Sequence, residues 1–310
     1  MAREQLGICA EANLHGSYLL CTVLDGQEAV MRYKLARILQ LVERLSEHFS
    51  EAMLTAVVGI SHHYWDNLYP WQRPANFQTW PDLSSEHVSV SFTMADLLIQ
   101  VRSDRQDVNY IALQQIYQLI HGHVEVLDQL SGFRYLDGRQ LTGFVDAPLN
   151  PRGPLKRKVA LIDAKVCPIF AGGSYVFFYR WLLDHKVWSQ LSTQQQEAIM
   201  GYAKLDAKPG LASGHEHSHL GCWEAAHAEG GLILQQNMAY ATLQLQGAIS
   251  LNFTADSSAL TTYWQQRFAV HADRIADPLL DFCQLDLAAA FFVPSLSFLE
   301  AAARGDFRAP

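Results

Sequence analysis

Apolar positions in the first half of the chain follow two spacings, one typical of buried strands and one typical of amphipathic helices. Short apolar runs that end at turn residues predict strands, and apolar residues that recur every three to four positions predict helices. The predicted strands are residues 17–24, 53–60, 95–101 and 124–135, and the predicted helices are residues 28–49 and 108–120. This β-α-β-β-α-β order is that of a ferredoxin-like lobe.

The same order returns after a proline-rich joint. Pro148, Pro151 and Pro154 interrupt the pattern and predict a boundary between lobes 1–147 and 148–310. In the second lobe the predicted strands are residues 174–183, 232–237, 248–253 and 290–293, and the predicted helices are residues 187–202 and 257–270. The sequence therefore predicts an α+β fold of two ferredoxin-like lobes with antiparallel sheets, arranged as in a dimeric α/β barrel.

Composition and charge exclude several classes of function. The formal net charge is -8 and there is no run of Lys or Arg, so the chain lacks the phosphate neutralisation that nucleic-acid binding requires. No apolar stretch approaches the roughly 20 residues that span a bilayer, and the first residues lack the apolar core of a secretory signal. The five cysteines never occur as CxxC, which predicts reduced thiols. We therefore expect a cytoplasmic protein that binds neither nucleic acid nor membrane.

Five segments of the second half are similar, in order, to segments of the dye-decolourising peroxidases, and the chain resembles the bacterial B-type members of that family. The first segment, Gly143 to Ala147 (GFVDA), is similar to the family's GxxDG motif, with the last glycine replaced. The others are residues 171–192, the SHL step at 218–220, residues 232–240 and residues 279–295. Each motif alone is weak, but five in the correct order make the resemblance specific over residues 130–300.

The resemblance implies that His219 is the axial ligand of a haem b iron in the C-terminal lobe, because the family's ligand lies in this SHL step. Imidazole is a common axial ligand of haem iron. The residues alone leave other interpretations open. His215, His217 and His219 alternate, so on a strand they would share a face and could hold zinc, nickel or copper. A solvated loop is a further interpretation, and His217 is the fallback haem ligand.

The resemblance also places Asp146 and Asn237 on the distal side of the haem, opposite the axial histidine. A carboxylate there can take a proton from one oxygen of hydrogen peroxide and return it to the other. The alternative for Asp146 is a cap on backbone NH groups in a proline-rich turn. Asn237 matches a position where relatives carry an amide or hydroxyl that bonds the distal ligand, and its alternative is ordinary packing at a strand end.

The chief departure from the family is Gln235, which stands where the family carries an arginine. A guanidinium would stabilise the anionic peroxide and the charge that develops as its O–O bond breaks. Glutamine can donate a hydrogen bond but supplies no charge. We therefore expect weak peroxidase turnover, unless Arg152 or Arg157, just after the distal motif, compensates.

The resemblance further implies that Asp281 accepts a hydrogen bond from the ring NH of the axial histidine. Such a hydrogen bond makes the imidazole more electron-rich and supports oxidised iron. The alternative is that Asp277 and Asp281 only cap a helix.

The sequence thus favours a haem-dependent peroxidase that uses hydrogen peroxide to oxidise an organic reductant. The expected catalytic residues are Asp146, Gln235 and Asn237, and the residues expected around the haem are His219, Asp146, Gln235 and Asp281. One alternative is a non-catalytic haem-binding or haem-handling protein, which Gln235 favours. A second is a hydrolase with a metal site at the three histidines. The resemblance further implies a homo-oligomer.

Overall fold

The computed structural model describes residues 2–81, 90–209, 215–269 and 276–307. Its strands are β1 (His15–Val23), β2 (Thr55–Ser61), β3 (Val90–Phe92), β4 (Leu97–Ser103), β5 (Val124–Phe133), β6 (Ser174–Leu183), β7 (Leu234–Ala241), β8 (Gln246–Thr254) and β9 (Cys283–Val293). Its α-helices are α1 (Glu28–His48), α2 (Trp65–Leu68), α3 (Gln106–Ile120), α4 (Pro154–Ala160), α5 (His185–Trp188), α6 (Thr193–Met200), α7 (His219–Ala228), α8 (Ser257–Arg267) and α9 (Leu296–Arg304). Short 3₁₀ helices lie at Leu6–Cys9, Ser50–Ala52, His215–His217 and Pro278–Phe282.

Each half of the chain forms four strands of an antiparallel sheet in the ferredoxin-like order, β2-β4-β1-β5 and β7-β8-β6-β9. The two halves join at both edges. Strand β5 pairs with β7 at Phe133 and Ala239, and β2 pairs with β9 at Ile60 and Phe292. Closure at both edges turns the strands into a barrel. The predicted α+β fold of two ferredoxin-like lobes, arranged as in a dimeric α/β barrel, is confirmed.

Two apolar layers hold the barrel together. Side chains alternate along each strand, so Tyr18 and Leu20 of β1 face the barrel interior, whereas Leu19 and Cys21 face the helices outside. Helices α1 and α3 pack on the outer face of the first half, and α8 packs on β6 and β8 of the second. Helices therefore cover the outer faces of both halves of the sheet.

Several predicted elements differ from those observed. The single helix predicted at 187–202 is two helices, because Ser192 starts α6 with a capping box that it forms with Gln195. The last strand, predicted at 290–293, begins at Cys283. The helix predicted at 257–270 ends at Arg267, and residue 270 lies outside the described residues.

Helices α2, α4, α7 and α9 and strand β3 were not predicted from the sequence. Within the described ranges, no helix is long and apolar enough to cross a membrane.

Candidate active site

A cavity lies between the outer face of the second half-sheet and helices α7 and α8. Its walls combine apolar and aromatic side chains with a similar number of polar ones. Those polar side chains include Asp146, His219, Gln235, Asn237 and Arg267. The resemblance assigned five residues to haem and catalysis. All of them except Asp281 line this cavity.

His219 is the first residue of α7. The side chain of Ser218 caps this helix by accepting a hydrogen bond from the backbone N–H of Gly221 at 3.1 Å. The cap fixes the backbone from which the His219 ring enters the cavity. The ring is mostly buried, since only 13% of the side chain is exposed.

The histidines before this helix do not form a strand. The backbone of His215–His217 is a 3₁₀ helix, and the side chain of His217 is exposed while that of His219 lines the cavity. The side chain of His215 lies outside the described residues. Across the described side chains there is no group of three or more His, Cys, Asp or Glu residues placed to hold a metal ion. The interpretation of this segment as a strand, on which the proposed three-histidine metal site depended, is therefore wrong.

The ring of His219 is oriented by a carboxylate. Its Nδ1 lies 2.8 Å from Oδ2 of Asp277, which is fully buried. Because a carboxylate can only accept, Nδ1 carries the proton and the neutral ring leaves the Nε2 lone pair free. Asp281 is exposed, so the expectation that Asp281 makes this contact is wrong. The other oxygen of Asp277 accepts from the N–H of Leu279 at 3.0 Å and caps the following 3₁₀ helix.

Arg267 shares the same carboxylate. Its Nε donates to Asp277 Oδ2 at 2.7 Å, and its guanidinium lies 4.6 Å from the ring centroid of Trp181. Burial opposes ionisation of Asp277, but electrostatic interaction with His219 and Arg267, together with the hydrogen bond from His219, holds the pKa of its carboxyl well below the ordinary value. The carboxylate therefore stays ionised and binds two donors at one oxygen.

Asp146 enters the cavity from a tight loop between the two halves. The backbone of Gly143 has φ +89°, a left-handed conformation that favours glycine. Ala147, where the family motif has glycine, also has a positive φ of 40°. The left-handed backbone at Gly143 and Ala147 thus shapes the turn that places Asp146 in the cavity.

The Asp146 carboxyl is held by two amides. Gln140 Nε2 and Asn237 Nδ2 each donate to its Oδ1 at 3.0 Å. Burial raises the pKa of this carboxyl, and the two amide hydrogen bonds oppose that rise only in part. No side chain among the described residues donates to its Oδ2, so this oxygen is available to a ligand in the cavity.

Gln235 is joined to α8 by a tyrosine. Its Nε2 donates to the hydroxyl oxygen of Tyr263 at 3.0 Å, and NH1 of Arg267 reaches the same oxygen at 3.4 Å. Arg157 pairs instead with Glu4, and neither it nor the exposed Arg152 lines the cavity. The cation in the cavity wall is therefore Arg267, which replaces the expected candidates.

Three residues of the site were missed in the sequence. None of the three, Gln140, Tyr263 and Arg267, belongs to a recognisable motif. A Gln or an Arg in a polar stretch is normally expected at the surface. The spacing of Tyr263 and Arg267 by four positions places them on one helix face, which was the available signal.

Comparison with known proteins gives a consistent result. The family model for the C-terminal part of Dyp-type peroxidases matches residues 137–298, and the model for the N-terminal part matches residues 5–134. A dye-decolorizing peroxidase of Mycolicibacterium paratuberculosis is 30% identical over 292 residues, which cover 91% of this chain and 81% of that protein.

Solved structures agree with the sequence matches. A Shewanella oneidensis protein described as a Dyp-type peroxidase superposes with a TM-score of 0.92 at 31% identity, covering 96% of this chain and 98% of that one. A DypB variant of Rhodococcus jostii in complex with heme superposes with a TM-score of 0.84 at 26% identity, covering 94% and 96%.

Proposed function

The chain belongs to the Dyp-type peroxidase family, a family of haem-dependent oxidoreductases, and we propose that it binds haem through His219 and uses hydrogen peroxide to oxidise an organic reductant. One observation supports this proposal above the others. The His219 ring is fixed through Nδ1 by Asp277, and its Nε2 is free in a cavity that Asp146 also lines.

The residues of the cavity fit a haem. His219 Nε2 would hold the iron, and the apolar walls formed by Leu141, Leu183 and Leu279 suit a porphyrin. When bound, haem supplies an iron that accepts oxidising equivalents from hydrogen peroxide and passes them to the reductant. Asp277 keeps the proton on Nδ1 and so keeps Nε2 directed into the cavity.

Asp146 is the proposed proton carrier. Its free Oδ2 accepts the proton from one peroxide oxygen and returns it to the other, while Gln140 and Asn237 keep the carboxyl in place through Oδ1. The raised pKa brings the two protonation states closer in energy, which suits a group that must accept and then release a proton.

Gln235 supports a second candidate function, a haem-binding protein with little or no peroxidase activity. Its amide is bound to Tyr263 and adds no positive charge where the family's arginine would stabilise the peroxide anion. The only cavity-lining cation within the described residues is Arg267, whose charge is paired with Asp277. We propose the peroxidase function with turnover weakened by Gln235.

The test is peroxide-dependent oxidation of an easily oxidised dye by the haem-loaded protein. Asp146→Asn is expected to lower kcat/KM for peroxide by about 10²–10⁴, because the general base is lost. Since the ionised carboxyl must accept the proton, wild-type activity is expected to fall as pH decreases through the pKa of Asp146. The variant is expected to lack that acid limb.

Tyr202→Phe is the matched control, because the Tyr202 hydroxyl bonds the backbone of the neighbouring Val145 without reaching the carboxyl. This variant is expected to retain the acid limb. Equal activity of Asp146→Asn and wild type would contradict the proposed proton transfer. A wild type that binds haem but never consumes peroxide would favour the haem-binding function.

A further inference from the structure

A second cavity lies where β5 and β7 join the two halves of the barrel. It shares Asp146 and Asn237 with the first cavity but does not include His219. The exposed Arg134 also lines it, so the cavity reaches the surface. The proposed peroxidase chemistry gives no role to the rest of this space.

Arg102 of β4 lines the second cavity and has no ion-pair partner within the described residues. The residue is only 3% exposed, and its Nε and NH1 make no hydrogen bond, while NH2 donates to the carbonyl of Glu11 at 3.2 Å. The neighbouring acids are engaged elsewhere. The Glu11 carboxylate pairs with Lys156 at 2.8 Å, and Asp104 accepts from the amide of Asn13 at 3.2 Å.

A buried guanidinium without a counter-ion is costly, so natural proteins pair such a charge or leave it to a ligand. Burial also lowers the pKa of Arg102, as expected for a cation that lacks a carboxylate partner. The two unused nitrogens therefore call for an anion inside the second cavity.

The other walls indicate what carries that anion. Phe133, Tyr135 and Met238 supply aromatic and thioether surface, which favours a flat apolar ring. At the shared wall, Oδ1 of Asn237 is buried without a partner and can accept a further hydrogen bond. Of the three arginines that line the cavity, Arg102 is the buried one, and Arg134 and Arg139 are the others. A buried cation set against aromatic walls suits a small aromatic acid.

We propose that the second cavity binds a small aromatic carboxylate, with its carboxylate held by Arg102. The ring then lies between Arg102 and the wall that carries Asp146 and Asn237, next to the first cavity. Because His219 takes no part, this inference does not depend on haem ligation.

The experiment is calorimetric titration of benzoate into the purified full-length protein, with haem and without it. Wild type is expected to bind benzoate in both forms, and Arg102→Met is expected to weaken binding at least about tenfold, as for a lost charge-assisted hydrogen bond. Arg102→Lys keeps the charge and is expected to recover part of the affinity. Arg134→Met is the matched control in the same cavity, and a change below about twofold is expected at this exposed site.

Benzyl alcohol, which has the same ring without the charge, is the control ligand. It is expected to bind wild type and Arg102→Met equally weakly. The proposal is overturned if wild type does not bind benzoate, if it prefers benzoate no more than benzyl alcohol, or if Arg102→Met binds benzoate as tightly as wild type. The comparison of the two ligands on wild type decides the matter even if the Arg102 variants do not fold. A protein that binds benzoate but not haem would contradict the peroxidase function alone.

Discussion

Single residues determine the backbone conformation that places Asp146 in the cavity and the amount of charge around its carboxyl. Ala147 and Gln235 are the two positions at which the sequence is expected to depart from the family's motifs. Gln235 lines the cavity, and Ala147 directly follows Asp146, which also lines it. The first departure affects the backbone, because Ala147 adopts a left-handed conformation with φ 40°. The second departure is electrostatic.

Replacing Ala147 with glycine is expected to raise the free energy of unfolding by about 1 kcal/mol. A left-handed backbone is costly for a residue with a Cβ, and part of that gain is lost to the greater freedom of glycine in the unfolded chain. Denaturant unfolding measures the change. Ala225→Gly, at an exposed position within α7, is the control and is expected to destabilise the protein by about 1 kcal/mol. A destabilised Ala147→Gly would contradict the strain inferred at this turn.

Gln235→Arg is expected to raise kcat/KM for peroxide by about tenfold or more, because it restores a positive charge on the distal side. The gain is limited by Arg267, a second cation that reaches the same Tyr263 hydroxyl. Gln235→Met, which removes the amide without adding charge, is the control and should not be faster than wild type. If the arginine variant binds haem normally and is no faster, the missing charge is not the limit.

Helices and strands bring residues that are distant in the sequence into contact. Helix α7 was missed because Gly221, His219 and His227 weaken its helical pattern, and the capping role of Ser218 shows only when the helix is known. Strand β9 was predicted too short because Asp286 breaks its apolar run, although Arg180 of the paired β6 neutralises that charge at 2.6 Å. Contacts between residues so far apart in the sequence cannot be predicted from local sequence patterns.

The buried network between α8 and the 3₁₀ helix that starts at Pro278 is expected to contribute strongly to stability. Arg267→Met leaves the Asp277 charge with only His219 and is expected to lower the free energy of unfolding by about 3–5 kcal/mol. Since the pKa of Asp277 is depressed in the folded state, this contribution is present above about pH 4 and is lost as pH falls through the folded pKa.

Denaturant unfolding of Arg267→Met, Asp277→Asn and the double variant measures the coupling, which is expected to make the double variant less unstable than the sum of the two. Arg304→Met breaks an exposed pair with Asp306 and is expected to change stability by less than about 1 kcal/mol. A similarly small effect of Arg267→Met would contradict the network.

The whole molecule is a barrel whose two halves contribute unequally to the site. The repeated β-α-β-β-α-β order could be predicted because each element has a regular apolar pattern, whereas closure could not, because it depends on edge pairings such as Phe133 with Ala239. The loop that carries Asp146 leaves the first half and reaches a cavity on the second. The predicted boundary at 147 therefore falls inside the functional site.

We propose that His219, whose ring is fixed by Asp277, is the haem ligand. The most direct test is the absorption spectrum of the haem-loaded protein, with His219→Ala compared to the neighbouring exposed His217→Ala. His219→Ala is expected to lose the spectrum of histidine-ligated iron and to regain it with added imidazole, while His217→Ala keeps it. An unchanged spectrum in His219→Ala, or its loss in His217→Ala, would contradict the claim.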